Sequence, residues 1–351
     1  DILAPLARHM DKFVVINNLH GFGNNHPQNA ASLFTGDSAV VSSGDFFTKV
    51  KQTNPFIEFS SMLTSQTSSD IGYVVLHQNT KEPFGYKRLF AKPFGGQKYD
   101  DPESVYSAYD EKTGKFSDPF PGGIQVSQDR FDARMRLLEI MNQSGQHLTG
   151  KSVDRHERAF KKAESILGGK FNKLFDIGDE STETLEKYGD TQVGKQFLIA
   201  KKLLEHGARI VCANDGNYDN HEALYGNMRI MIPRFARALS AFLDDIQKMD
   251  DKVYVVIVSE FGRSPKMNHI GGREHWSSAF GMLVAGDDIG GGRVIGKTNN
   301  DGEIVGDAFH SSLVGETVLD LMKLARFETR GEVVTDKRFP YIDIFKERVV
   351  G

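Results

Sequence analysis

The stretch from Ala208 to Val258 decides the fold that the sequence predicts. It opens with the apolar run Ala208–Ala213 (ARIVCA) and closes with the apolar run Val253–Val258 (VYVVIV). Short runs of this kind, rich in β-branched residues, are typical of buried strands. Between them, apolar side chains from Leu224 to Ile246 recur near the 3.6-residue period of an amphipathic helix. Strand, helix and strand in this order predict one right-handed crossover unit of an α/β protein.

Similar patterns extend outward from this unit. Phe13–Ile16 and Phe280–Ala285 are predicted strands, and a helix over about 184–206 is expected to end at a C-cap, Gly207. The alternation predicts an α/β fold whose mostly parallel central sheet is flanked by helices. Residues 42–151 are rich in Ser, Thr, Gly, Pro and aromatics. We predict that they form a long irregular insertion or cap within a single domain of residues 1–351.

Composition narrows the class of protein. The 351 residues include 43 basic and 47 acidic side chains, for a net charge of −4, and 39% are apolar. A near-neutral chain without a basic block argues against nucleic acid as a partner, and no apolar run is long enough for a membrane span. The single cysteine, Cys212, excludes an intramolecular disulfide and a cysteine-rich metal module.

Polar side chains gather where the predicted strands end. Ligand sites in open α/β sheets lie beyond the carboxyl ends of the strands, so these side chains are expected to share one edge. Histidine and carboxylate ligands suit a divalent metal, with zinc, manganese, iron and calcium all open. The candidate ligands are His20, His26, Asp219, His221, Glu260 and His275.

Each candidate also has a structural interpretation. Asp219 could cap the helix that follows it, because Asp is a preferred N-cap residue. Glu260 could pair with Arg263, and His275, beside the only tryptophan, could be a core histidine. The sequence alone leaves both interpretations open.

One motif is misleading. Gly291–Thr298 (GGRVIGKT) satisfies the phosphate-loop pattern, which requires a helix directly after the threonine. Here the turn-forming run Asn299–Glu303 (NNDGE) follows instead. We therefore predict a β-hairpin or surface loop over 293–305 and no nucleotide-triphosphate hydrolysis.

Several of these runs together resemble one family. Ser259–Pro265 (SEFGRSP), Gly272–Trp276 (GREHW), Gly291–Thr298 and Asp219–His221 (DNH) occur in the order and spacing of the family called domain of unknown function 1501. The resemblance covers nearly the whole chain. It implies an alkaline-phosphatase-like fold, in the superfamily of phosphatases and sulfatases that act through metal ions at strand ends.

The resemblance also implies where the protein acts. Members of the family carry a secretory leader and a first strand with an acidic residue, so we expect a leader and a strand ahead of Asp1 and export to the periplasm or beyond. The implied substrate is a small anionic ester, sulfated or phosphorylated.

The position of the nucleophile departs from the superfamily pattern. Sulfatases carry a cysteine nine residues before a Thr-Gly pair, and His26 stands at that distance from Thr35-Gly36. A phospho- or sulfo-enzyme on Ser, Thr or Cys is therefore disfavoured. Three alternatives remain: His26 as a metal ligand, with water attacking the ester and Arg263 or Arg273 holding the anion; His26 as acceptor of the transferred group; or a degenerate site.

The sequence thus supports two functions. The first is a metal-dependent hydrolase of phosphate or sulfate esters that uses His26, Arg263 and Arg273 in catalysis. The second is a catalytically inactive, exported binding or structural protein that keeps the fold, because fold does not dictate activity.

Overall fold

The computed structural model describes residues 2–35, 73–78, 104–119, several positions between 127 and 140, 171–323, 328–330, 333–335, 341–344 and 348–350. Most of the predicted 42–151 insertion lies outside these residues. The helices are a 3₁₀ helix at Ala4–Lys12, α1 His26–Thr35, a 3₁₀ turn at Asn172–Leu174, α2 Thr182–Tyr188, α3 Gln192–Glu205, α4 Leu224–Ile246 and α5 Leu313–Leu321. The strands are β1 Phe13–His20, β2 Tyr73–His77, β3 Ser104–Asp110, β4 Lys115–Phe116, β5 Ile210–Ala213, β6 Val255–Val258, β7 Gly262–Arg263, β8 His275–Trp276, β9 Phe280–Ala285, β10 Arg293–Ile295, β11 Phe309–His310, β12 Glu328–Arg330, β13 Val333–Thr335, β14 Tyr341–Asp343 and β15 Arg348–Val350.

The first sheet has the order β10-β1-β9-β6, and β11 also pairs with β1. β1 is parallel to β10 and β11, whereas β9 is antiparallel to both of its neighbours, β1 and β6. The sheet is therefore mixed, and the prediction of a mostly parallel sheet is corrected. The reason is the connection from β6 to β9, which contains the β7–β8 hairpin rather than the crossover helix that parallel neighbours usually need.

The second sheet has the order β4-β3-β2-β5, and β2 is parallel to both β3 and β5. β5 therefore belongs to this sheet while β6 belongs to the first, so they are not neighbouring strands of one described sheet as the predicted crossover unit required. Strands β2 and β3 come from the 42–151 region, which is regular at these positions. Cys212 is half-buried in β5, in register with Val75.

The helices agree with the sequence-based predictions better than the sheets do. The helix predicted over 184–206 is two helices, α2 and α3, separated at Gly189, whose φ is 84°. Gly207 closes α3 as predicted: its φ is 88°, its N–H donates to Leu204 O, and the Ala208 N–H donates to Leu203 O. These two bonds form a Schellman motif. α4 buries one face in the core, with Leu239, Phe242 and Leu243 nearly inaccessible.

The chain beyond β10 folds back on itself. β10 pairs with β1, and an antiparallel bridge then joins Thr298 to Ile304. The predicted hairpin is therefore limited to about 297–305, and a turn follows Thr298 where a phosphate loop would need a helix. No helix in the described part of the chain is long and apolar enough to cross a bilayer.

Strand directions bring three connections to one edge of the first sheet. Leu19 pairs with Phe280 and Val258 with Met282, so β1 and β6 end where the antiparallel β9 begins. The loop after β5 reaches the same place through the bond from Arg273 N–H to Asn220 O, 3.1 Å. This edge holds the candidate site.

Candidate metal centre

Four side chains from three loops converge at this edge. His26 is the first residue of α1, Asp219 and His221 lie between β5 and α4, and His275 lies in β8. His275 Nε2 is 3.1 Å from His26 Nε2, 3.0 Å from His221 Nε2 and 3.1 Å from an oxygen of Asp219. The Asp219 carboxylate is also 3.0 Å from His221 Nε2 and 3.3 Å from His26 Nε2. His26, Asp219, His221 and His275 are called the metal cluster below.

The opposite nitrogen of each histidine is held by an oxygen. His26 Nδ1 lies 2.5 Å from Glu260 Oε1, and His221 Nδ1 lies 2.8 Å from Glu274 Oε2. His275 Nδ1 lies 2.9 Å from the backbone oxygen of Asn24. A carbonyl oxygen or an ionised carboxylate accepts only, so each Nδ1 must carry a proton.

These hydrogen bonds determine which ring nitrogen of each histidine is left with a lone pair. A neutral imidazole with its proton on Nδ1 has a lone pair on Nε2. The five separations that join these Nε2 atoms and the carboxylate oxygens are 3.0–3.3 Å, and His26, Asp219 and His275 each offer a ligand atom within 4.8 Å of the others. Ligands about 2.0–2.1 Å from a tetrahedral ion lie roughly 3.3–3.4 Å apart, so these three side chains could hold a metal, with His221 beside them through Asp219 and His275.

Two loops that carry these residues are joined by hydrogen bonds. Leu224 N–H donates to Gly271 O at 2.9 Å, and Asn268 Nδ2 donates both to His221 O and to Glu274 Oε1 at 2.7 Å. A Cβ at position 272 would lie 1.9 Å from the carbonyl carbon of His221, so the approach of the two loops requires Gly272.

The loop that carries Asp219 and His221 also contains two residues whose backbone is in the left-handed region. Asn217 has φ 70° and Ala223 has φ 47°. Such conformations are unfavourable for alanine and are found where surrounding contacts hold the backbone, often at functional sites.

Charges in the site are strongly coupled. Burial opposes ionisation of Asp219, but the hydrogen bond and charge of Arg263 outweigh it and lower the pKa of Asp219 to about 2. Burial also opposes ionisation of Glu260, and the hydrogen bond with His26 overcomes it and lowers the pKa of Glu260. That same bond raises the pKa of His26 despite burial. Both carboxylates are therefore anionic at neutral pH.

The two candidate arginines lie on the connection from β6 to β9, and Arg263 contacts the cluster directly. Arg263 donates through Nη2 to Asp219 and through Nη1 to the backbone oxygen of Arg273, 3.2 Å. Arg273 donates through Nη1 to Ser264 O at 3.0 Å, while its buried Nε has no hydrogen-bond partner among the described residues.

Of the predicted ligands, His20 lies apart from the others. Its ring packs edge to face on His310 at 4.9 Å, and Phe22 packs on His310 at 4.2 Å. Glu260 contacts the cluster through His26 Nδ1. Two partners of the cluster, Asn24 and Glu274, were not predicted as site residues; Glu274 lies between Arg273 and His275 in a motif of the sequence, whereas Asn24 gave no signal.

Comparison with known proteins gives a family and no described activity. No curated protein and no solved structure matches the chain. The family profile described as "Protein of unknown function (DUF1501)" matches residues 1–329. The match spans the strands, helices and loops that build the metal cluster, and the chain therefore belongs to the DUF1501 family.

Proposed function

We propose that this protein is a metal-dependent hydrolase of phosphate or sulfate esters. The observation that carries the proposal is the convergence of three Nε2 lone pairs on the Asp219 carboxylate. When the histidines are neutral, their Nε2 lone pairs and the Asp219 carboxylate are all electron-rich and repel one another. A divalent ion converts that repulsion into coordination.

The donor set discriminates among metals. Three imidazole nitrogens and one carboxylate suit zinc, manganese or iron, whereas calcium prefers a shell of oxygen atoms. Each histidine has an oxygen acceptor on its second nitrogen, the usual support of a metal-bound imidazole. Calcium, which the sequence left open, is therefore the least suited of the four ions.

When bound, the ion would supply Lewis-acid polarisation of the ester and activation of water. The chain supplies the rest. Arg263 adds positive charge to the cluster through Asp219, and Arg273, on the same β7–β8 connection, is the second candidate for holding an anionic ester. His26, at the position of the sulfatase nucleophile, has Nδ1 on Glu260 and Nε2 in the cluster, which favours a ligand over an acceptor of the transferred group.

Two wider assignments rest on the resemblance. We propose membership of the alkaline-phosphatase-like superfamily, supported by the collection of metal-ligand side chains at strand ends. We also propose that the full-length protein is exported to the periplasm or beyond. Fractionation of cells that express the complete gene tests the second assignment: recovery only from the cytoplasm contradicts it.

Elemental analysis and an ester assay test the function together. The wild-type chain is expected to bind about one equivalent of zinc, manganese or iron and to hydrolyse an aryl phosphate or aryl sulfate. His275→Ala should lose both properties. His206→Ala, which changes an exposed histidine that contacts only its own helix in the described structure, is the matched control and should retain them.

The outcomes separate the two functions that the sequence supports. Metal binding without hydrolysis of either ester favours the inactive binding protein. Absence of any tightly bound metal contradicts the proposed centre itself.

A further inference from the structure

We propose that Arg263 is a positioning residue that holds the metal cluster in shape, and not the group that grips the anionic ester. This inference rests on the proposed function, because it concerns the same site. It assigns to Arg263 a role opposite to the one expected from its charge alone.

The first observation is its bond to Asp219. Arg263 Nη2 donates to Asp219 Oδ1, the same oxygen that lies 3.0 Å from His221 Nε2 and 3.1 Å from His275 Nε2. The Asp219 side chain is 45% exposed, whereas that of Arg263 is 21% exposed. An exposed carboxylate can rotate, so the charge-assisted bond from Arg263 keeps Oδ1 beside His221 and His275 and leaves Oδ2 beside His26 Nε2, 3.3 Å away.

The second observation is the contact of Arg263 with the loop that carries His275. Its Nη1 donates to Arg273 O, and Arg263 also pairs with His275 in the β7–β8 hairpin. Its guanidinium lies 5.8 Å from the Phe261 ring centroid. That ring in turn contacts His26 at 4.7 Å and His275 at 4.5 Å. Arg263 thus contacts the Asp219 carboxylate, the backbone of the loop that carries His275, and the Phe261 ring, which packs on two histidines of the cluster.

These contacts commit part of the guanidinium to the protein. Two of its five N–H groups, one on each terminal nitrogen, donate to protein oxygens. A bidentate grip on a phosphate or sulfate needs two N–H groups on one edge of the fork, and Arg263 could offer them only in the orientation that its two protein bonds fix. We therefore assign the anion to another group, with Arg273 the candidate on the same β7–β8 connection.

Cobalt titration of the full chain tests the assignment. Co²⁺ replaces other divalent ions in nitrogen and oxygen sites, and its visible absorption reports the coordination geometry. Arg263→Gln is expected to lower Co²⁺ affinity 10- to 100-fold and to change the absorption spectrum, as loss of a supporting residue does. Arg263→Lys, which restores one charge without the two-point contact, should give an intermediate affinity. Arg209→Gln, at an exposed arginine before β5, is the matched control and should match the wild type.

Inorganic phosphate provides the opposing measurement. Calorimetric titration of phosphate into the Co²⁺-loaded protein should give a dissociation constant for Arg263→Gln within about threefold of the wild type. A wild-type Co²⁺ affinity and spectrum in Arg263→Gln, or a tenfold loss of phosphate binding with unchanged metal affinity, overturns the inference. A wild-type chain that takes up no Co²⁺ overturns the proposed function itself, which is a distinct result. Circular dichroism spectra of both variants identify any that fail to fold, and Arg263→Lys then decides.

Discussion

Two groups of histidines lie at the same edge of the first sheet and differ in what holds their rings. In the metal cluster, His26, His221 and His275 each have an oxygen acceptor on Nδ1 and turn Nε2 toward Asp219. His20 and His310 end the neighbouring parallel strands β1 and β11 and pack on each other. His310 Nδ1 accepts from the backbone N–H of Ser312 at 3.1 Å, so its lone pair is already used within the protein.

The difference teaches that placement at a strand end is not sufficient to bring a histidine into the metal cluster. An acceptor on one imidazole nitrogen exposes the lone pair of the other, whereas a donor consumes it. Burial lowers the pKa of His20, and burial together with His20 lowers that of His310 to about 4. This pair is therefore neutral at neutral pH, and it packs as two aromatic rings.

Removal of metal should produce the largest difference between the two groups of histidines. At a free ion concentration 1,000-fold above the dissociation constant, a bound ion adds about 4 kcal/mol to the free energy of unfolding. Urea unfolding with excess Zn²⁺ and with chelator measures this gap. His275→Ala should abolish it and His310→Ala should retain it, whatever each substitution does to the baseline. Equal gaps in both variants would contradict the division into two groups.

Substitution of the carboxylates that accept from the Nδ1 atoms should have the second-largest effect, measured as a loss of metal affinity. Glu260→Gln should weaken metal binding about 10- to 100-fold, because the oxygen behind His26 loses its charge. Glu274→Gln should weaken it only about threefold, since this side chain is 58% exposed against 28% for Glu260 and solvent screens it. Competition with a chromogenic chelator measures both affinities. Equal losses would show that burial of the supporting carboxylate is unimportant.

Acidification should affect the other pair of histidines. Because the pKa of folded His310 lies below 6.5, the unfolded chain gains a proton between pH 6.5 and about 4 that the folded chain excludes. The stability linked to His310 is therefore complete above pH 6.5 and is lost as the pH falls toward 4. The loss should be about 1–2 kcal/mol, since the partly buried ring retains part of its hydration.

His310→Gln provides the measurement. Its unfolding free energy should fall less steeply than that of the wild type over this pH range, with both proteins held in chelator to remove the metal contribution. Parallel pH profiles would show that His310 titrates normally in the folded protein.

Much of the site follows from strand ends, which apolar runs identify well. His26, Asp219, Glu260 and His275 were expected at one edge on that basis, and the structure brings them together. The direction of β9 could not be predicted, because whether β6 and β9 are antiparallel depends on how residues 259–279 fold, and they contain no long apolar run. His275 precedes β9 and shares the edge for this reason, not through a parallel sheet.

Ring orientation is the part that the sequence could not supply. His20 ends a strand as clearly as Glu260 follows one, yet it faces His310, which is 290 positions away in the chain and carried by a two-residue strand. Asn24 acts through its backbone oxygen, which every residue type possesses. A backbone partner of this kind cannot be predicted from the type of residue at that position. The separation of β5 from β6 was not predicted, because β2, the partner of β5, comes from the 42–151 region that was assigned to an irregular insertion, although its run Tyr73–Leu76 (YVVL) is as apolar as Phe13–Ile16.

Substitution of Asn24 should have the smallest effect, and it tests whether His275 depends on the backbone oxygen of Asn24 and not on its side chain. Its side-chain oxygen accepts from the Ser277 N–H at 3.0 Å, while its backbone oxygen faces His275 Nδ1. Asn24→Ala removes only the first bond, so the free energy of unfolding should fall by about 1 kcal/mol. Metal affinity should change less than threefold, because the acceptor behind His275 remains. Urea unfolding and chelator competition on the same variant measure the two effects. A tenfold loss of metal affinity would mean that the Asn24 side chain, through Ser277, also sets the position of the His275 ring.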